Sequence, residues 1–309
     1  MENTIVEISN LSHRYSVQWA IQNINLKIER HGIYGLLGSN GAGKSTLMNI
    51  MCGVLKPTSG DVTIKGISMR EDPIAVKRLI GFLPQQAPLY MDMTVEEYLV
   101  HCARMHHVIP ANIPAAVEKA MSYCDITHFR KRLIRNLSGG YQQRVGIAQA
   151  IVHDPELVVF DEPTNGLDPN QILEVRNLIK GIAQERTVIL STHILREVEA
   201  ICDHIFMMEQ GQLIFSGEAD KFYNYLQPMS LFVSLIALPS TDDLYTIPGV
   251  TNVEDLGGMN YRLHFSDSTG IASRLVKASV QNGWRLKELR LEKSSLDTIF
   301  MALSKQKHA

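Results

Sequence analysis

Four cysteines in 309 residues, none of them in a CxxC pair, give this chain neither a disulfide framework nor a thiolate metal site. Cys52, Cys102, Cys124 and Cys202 stand in apolar or helical contexts, which suits a reducing compartment. Long hydrophobic runs are missing as well. The longest, Leu231 to Leu238, is broken by Ser234 and falls far short of the roughly 20 residues that a spanning helix needs. No signal peptide opens the sequence, so a soluble cytosolic chain is expected. Basic charge is not in excess either: the formal net charge is -2 and no Lys or Arg cluster stands out, so nucleic acid is not an expected partner. What remains is a globular balance, 45% apolar and 20% charged, with length for about two domains of roughly 150 residues each.

The stretch Gly38 to Thr46, GSNGAGKST, organises everything else. It follows the apolar run Ile33 to Leu37 and opens the helical pattern Leu47, Ile50, Met51, Val54, so the spacing predicts a strand, a glycine-rich loop and a helix. Glycines at 38, 41 and 43 let the backbone turn where a Cβ would obstruct it. Successive N–H groups can then point at phosphate oxygens, helped by the positive end of the following helix. Gly38, Ser39, Asn40, Gly41, Ala42, Gly43, Lys44, Ser45 and Thr46 are therefore the expected nucleotide contacts. Lys44 reaches the β- and γ-phosphates, and the hydroxyl of Ser45 is the expected protein ligand of Mg²⁺.

Upstream, Ile5, Val6 and Ile8, then Ile21, Ile24, Leu26 and Ile28, read as strands. Between them Tyr15, with Trp19 behind it, either stacks on adenine or packs as a strand aromatic. Pro57 to Gly60 is a turn, Asp61 to Ile64 a short strand ending at Gly66, and Leu79 to Gln85 a buried strand stopped by Pro84. Gln85 thus stands where ligands of open α/β sheets collect, as a contact to Mg²⁺ or attacking water, or as a plain loop residue. From about Tyr90 to Asp154 the pattern is helical, with a capping box at Thr94 to Glu97 and Val95, Tyr98, Leu99 and Cys102 on its apolar side, then a helix over about Ala115 to Tyr123. LSGGYQQR follows: Ser138 caps a helix whose first amides Gly139 and Gly140 leave uncovered, a site for an anion or a capped start without one. Leu157 to Phe160 is an apolar strand delivering Asp161 and Glu162, and adjacent strand side chains face opposite ways, so the two acids differ in role. Asp161 would join the Mg²⁺ shell and Glu162 would polarise water. Asp168-Pro169 begins another helix, and Thr187 to Ser191 is a buried strand with His193 at its end, placed for a γ-phosphate contact or for a structural one.

In this order the pieces resemble an ABC-transporter ATP-binding subunit of the ABC-2 exporter type. Gly38 to Ser45 resembles Walker A, Gln85 the Q-loop, LSGGYQQR the signature, LVVFDEP Walker B, GLDP at 166 to 169 the D-loop, and His193 the switch histidine. One small departure is Tyr141, where many members carry Gln after the two glycines. The resemblance, over about residues 4 to 220, implies an α/β P-loop core with an antiparallel β subdomain and a helical subdomain near 90 to 154. It further implies ATP and Mg²⁺ as ligands, Glu162, His193 and Gln85 as catalytic residues, and Ser45, Gln85 and Asp161 at the metal. Head-to-tail pairing in the family would place ATP between Walker A of one subunit and Ser138, Gly139 and Gly140 of the other, with Asp168 of the D-loop as a further nucleotide contact. The implied partners are a membrane permease and a second such subunit, in a homodimer, on the cytoplasmic face of the membrane.

Beyond about Gln227 a second module begins, so the expected domains are 1–226 and 227–309. Strand-like runs at 231–237, 250–255, 261–265 and 285–291 and helical ones at 270–281 and 296–303 give the order βββαβα, a small α+β domain. Its ending, Ser295 to Leu303, resembles a domain appended to many ABC-2 exporter ATPases. The competing function is a soluble ABC ATPase of translation or DNA repair. Lys44 and Asp161 are only 117 residues apart, with no heptads between them and one motif set in the chain, which favours transport.

Overall fold

The computed structural model describes residues 4–224, 230–237, 240–266 and 269–292. The chain divides between Ala219 and Asp220 into two compact units. In the first, the alternating apolar residues near the N-terminus produce β1 (Val6–Tyr15) and β2 (Gln18–Ile28), which pair antiparallel and bury Val6, Ile8, Leu11, Ile21, Ile24 and Ile28. With β4 (Ser59–Ile64) and β5 (Ile67–Ser68) they form a sheet ordered β2-β1-β4-β5. The β4–β5 turn is Lys65-Gly66, both residues at positive φ, the geometry that suits the twist of a tight hairpin.

Most strands of the second sheet come from runs apolar on both faces, as parallel strands covered on two sides must be. Its members are β3 (Gly32–Gly38), β6 (Ile80–Leu83), β7 (Leu157–Asp161), β8 (Thr187–Thr192), β9 (His204–Glu209) and β10 (Gln212–Glu218), in the order β10-β9-β3-β8-β7-β6. All pairings are parallel except β9–β10. Helix α1 (Lys44–Met51) lies in the core that the two sheets share: Leu47, Met48, Ile50 and Met51 are all buried there beside Ile8, Ile24, Leu36 and Val159. Val54, predicted to continue its apolar pattern, falls past the helix end and is exposed, because the chain turns at Cys52 and Gly53.

After α2 (Pro73–Arg78) comes the helical insertion, α3 (Val95–Met105), α4 (Ile113–Tyr123) and α5 (Gly139–Ile151). The Thr94–Glu97 capping box forms in both directions. Ala103 joins Val95, Tyr98 and Leu99 in the core, while Cys102 is only partly covered, and α4 starts at Ile113, two residues ahead of expectation, with Pro114 in its first turn. Burial pushes the thiols of Cys52, Cys124 and Cys202 far up, and that of Cys102 up to about 11. All four cysteines are free.

His153, just past α5, stacks on His106 at the end of α3, ring centroids 3.6 Å apart, and its Nε2 meets the carbonyl of Ile80 at 3.0 Å. Burial, with His106 beside it, pulls the His153 imidazole down to about 3 from an ordinary 6.5, so the folded chain holds it neutral. Between those values the unfolded chain binds the extra proton. The stability is therefore complete above about pH 6.5 and is lost as pH falls toward 3. His153→Gln, which keeps a donor and cannot titrate, is expected to flatten the fall in denaturant midpoint between about pH 7 and about pH 5; an unchanged slope would count against this origin.

After α6 (Pro169–Ile182), α7 (Leu195–Ile201) and α8 (Ala219–Asn224), the second unit contains β11 (Ser230–Leu235), α9 (Thr241–Tyr245), β12 (Val250–Gly257), β13 (Asn260–Phe265), α10 (Ile271–Gln281) and β14 (Leu286–Glu292). The described order is βαββαβ in an antiparallel sheet β12-β13-β11-β14, a split βαβ arrangement, rather than the expected βββα start. The difference is α9. This five-residue helix is nucleated by a reciprocal Ser240–Asp243 capping box and anchored by buried Leu244. The expected helix 296–303 and the boundary near 227 lie outside the described residues.

Candidate ATP-binding site

Because β3, β6, β7 and β8 run parallel, their C-terminal ends bring the glycine loop, Gln85, Glu162 and His193 to one edge of the sheet. They open onto a cleft of about 770 Å³, roofed on the other side by the β1–β2 hairpin through Tyr15, Gln18, Trp19 and Ala20. The predicted residues Asn40, Gly41, Gly43, Lys44, Ser45, Thr46, Gln85, Glu162, His193, Tyr15 and Trp19 all line it. Gly43 is where the loop needs glycine: its φ is +101°, and a Cβ would lie 2.7 Å from the carbonyl oxygen of Ala20.

Lys44 is 6% exposed and folds back on its own loop, donating to the carbonyls of Gly38 (2.7 Å) and Ser39 (3.1 Å). Those carbonyls, rather than a cleft surface, are what Gly38 and Ser39 contribute, and Ala42 is buried. Burial lowers the Lys44 pKa, opposed by the negative charges of Glu162 and Asp161. An anion entering the cleft would meet a poorly solvated ammonium with one donor left over from these two bonds.

Glu162 corrects one expectation. β7 ends at Asp161, and Glu162 is not a strand residue but has a φ of +50°, a left-handed conformation rare for a residue with a side chain. The two acids diverge through that kink, not through strand alternation. Ser191 holds the kink: its hydroxyl accepts the Glu162 N–H at 2.9 Å and donates to Asp161 Oδ1 at 2.5 Å. Asp161 is only 5% exposed and sits below the cleft surface. The Glu162 carboxylate gathers Gln85 Nε2 at 3.3 Å, Asn165 Nδ2 at 3.4 Å and His193 Nδ1 at 3.0 Å, the last a hydrogen bond when that nitrogen carries the proton. Asn165, Gln18 and Ala20 line the cleft without having been singled out from the sequence. A polar amide three residues after Glu162 was the available signal for Asn165.

Tyr15 is half exposed and meets His13 edge-on at 4.7 Å, while the Arg14 guanidinium lies 5.7 Å over Trp19. Trp19 is thus a second wall of the cleft rather than a residue behind Tyr15. Four predicted residues lie elsewhere. Ser138 has the backbone of an N-cap, yet its side chain makes no cap hydrogen bond; Ser138 and Gly139 are exposed. A Cβ on Gly139 would touch nothing within 4 Å, so nothing inside this chain requires glycine there. Gly140 is buried against Gln171. Asp168 commits its carboxylate to capping α6, accepting from the amides of Asn170 and Gln171 at 3.0 Å each.

The model of the ABC transporter family matches residues 21–165. The bacitracin transport ATP-binding protein BcrA of Bacillus licheniformis is 36% identical over 214 residues, 69% of each chain. The chain belongs to the ABC transporter ATP-binding proteins. The linearmycin resistance ATP-binding protein LnrL of Bacillus subtilis (strain 168) is 26% identical over 305 residues, 97% of this chain and 98% of its own, so it shares the second unit as well. A dimeric, post-hydrolysis structure of the ATP-binding cassette MJ0796 bound to ADP and Pi superimposes with a TM-score of 0.63, at 26% identity, over 69% of this chain and 98% of that one. As an ABC ATP-binding subunit the protein binds and hydrolyses ATP to power transport through a separate permease, and such subunits act as dimers. No helix among the described residues is long and apolar enough to cross a membrane.

Proposed function

We propose that the cleft beside Lys44 is the hydrolytic site, that its γ-phosphate side is completed by the signature residues of a second copy, and that the homodimer works at the cytoplasmic face of the membrane. The convergence of Lys44, Ser45, Gln85, Glu162 and His193 on one cleft carries this reading. Tyr15 and Trp19 offer aromatic surface to the base, the loop amides and Lys44 take the phosphates, and Glu162 withdraws a proton from water that Gln85 and His193 orient. Mg²⁺ fits the donor set. Ser45 and Gln85 bring oxygen donors to the cleft, and so small a set suits an ion that keeps several waters and shares itself with phosphate. Ser45, Asp161 and Gln85 would hold it, and it would neutralise charge on the phosphates.

Exposed Ser138 and Gly139, outside the cleft, the latter with no intrachain demand for glycine, support a role toward another subunit; Gly140 belongs to the same start of α5, packed against Gln171 of α6, the helix that Asp168 caps. Residues 1–226 are read as the ATP-binding domain. Residues 227–309 are read as an accessory domain that supports the dimer or regulates it. The relatives, one named for bacitracin transport and one for linearmycin resistance, suggest that the permease moves a compound of that kind.

Lys44→Ala tests the phosphate side of the cleft. Loss of a hydrogen-bonding charge worth about 1.5–3 kcal/mol should weaken ATP binding about 10- to 150-fold, read by nucleotide titration. Unchanged affinity would remove Lys44 from the site.

A further inference from the structure

Behind Glu162 and His193 lies a buried carboxylate to which the mechanism above gives no role. Glu197, on α7, is 5% exposed. Its Oε1 accepts the hydroxyl of Thr164 at 2.5 Å and its Oε2 that of Thr192 at 2.6 Å. Thr164 stands two residues beyond Glu162, and Thr192 immediately before His193. Arg176 of α6 brings the counter-charge to 3.8 Å from Oε1. Both hydroxyls donate to it, so both turn their protons inward. The Thr192 oxygen then offers its lone pairs outward and accepts the Ile194 N–H at 3.0 Å, pinning the backbone on both sides of His193. In the turn after β7, Leu167 N–H bonds back to the Thr164 carbonyl at 3.3 Å, and Asn165 N–H to that of Glu162 at 3.1 Å. One side chain therefore ties together the two chain segments that carry the 3.0 Å His193–Glu162 contact.

We propose that Glu197 is a positioning residue, fixing Glu162 and His193 relative to one another through Thr164 and Thr192. A neutral amide holds the pair less well: facing the NH2 of Gln at 197, one hydroxyl must rotate to accept, its own proton then needs another partner, and Arg176 loses its counter-charge, so one of the two segments is held less firmly. The effect falls on geometry at the reacting centre, where a misplacement near 1 Å can cost about a hundredfold in rate. ATP contacts on the loop at 38–46 are untouched.

The proposal rests on the reading of Glu162 and His193 as the hydrolytic pair, so its test has one arm that does not depend on turnover. In the full-length chain labelled with ¹⁵N-histidine, the His193 imidazole signal is assigned by its loss in His193→Ala and followed in Glu197→Gln. Thr164→Val is the second variant, since it removes one hydroxyl, alters nothing adjacent to His193 in sequence, and carries the test should Glu197→Gln fail to fold. In both variants the His193 signal is expected to move while that of His264 in the second unit stays. The kcat should fall about 10- to 100-fold with KM for ATP within about twofold. A His193 signal unmoved in a folded variant overturns the proposal, whatever kcat does; so does a rise in KM at unchanged kcat and unmoved signal. A moved signal with wild-type kcat leaves Glu197 as the positioning residue and instead overturns the assignment of hydrolysis to Glu162 and His193.

Discussion

Glu162→Gln is expected to cut ATP turnover by at least about a hundredfold while nucleotide binding stays near wild type. The amide keeps the shape of the side chain and loses its basicity. It also disturbs the cluster, because the carboxylate faces Gln85 and Asn165 amides and the His193 ring, and an amide group would set a donor against one of these. Binding is expected to survive because, on the reading proposed above, the loop amides and Lys44, not Glu162, address the phosphates. Steady-state turnover read beside nucleotide titration separates the two effects. Turnover near wild type would mean that Glu162 is not the base.

Much of this site was legible because its residues are consecutive or end a continuous apolar run. The loop from Gly38 to Thr46 fixes strand, turn and helix together, and Leu157 to Phe160 can only be a covered strand, so Asp161 had to emerge at a sheet edge. Parallel pairing then forces Gln85, Glu162 and His193 to the same edge. Side-chain pairs far apart in sequence were not legible. Ser191, which sets the left-handed kink at Glu162, is 29 residues from it, and no local pattern marks a hydroxyl for that task. Glu197 reads as an ordinary helix acid until Thr164 and Thr192 are seen against it. In the second unit α9 escaped because five residues are too few for periodicity to register, although Ser240 and Asp243 carried its capping box in plain view. Ser138 shows the reverse failure: the residue type promised a side-chain cap, and the structure leaves the hydroxyl uncommitted at the surface.

That exposed start of α5 leads to the second large effect. Removal of one preorganised donor around developing charge costs about 10² to 10³ in rate, and Gly139→Asp adds a repelling carboxylate to the same place, so hydrolysis should fall by at least that much. Since a Cβ at Gly139 meets nothing within 4 Å, the substitution should leave the fold intact, and since Gly139 is outside the cleft, ATP binding to a single subunit should persist. Weak binding in a folded Gly139→Asp subunit would contradict this separation.

The shared site is tested most directly by the ATPase activity of mixed subunits. When Gly139→Asp chains are mixed with Lys44→Ala chains, each mixed dimer has one site with both lesions and one with neither, provided that Gly139 serves the opposite subunit. At an ATP concentration too low to fill the Lys44→Ala site, activity is therefore predicted to return on mixing the two variants, and wild-type chains in an excess of the double variant should fall silent, because every site there carries a lesion. Silence in mixed dimers that demonstrably form, together with activity in wild-type chains paired with the double variant, would contradict a site built from two subunits.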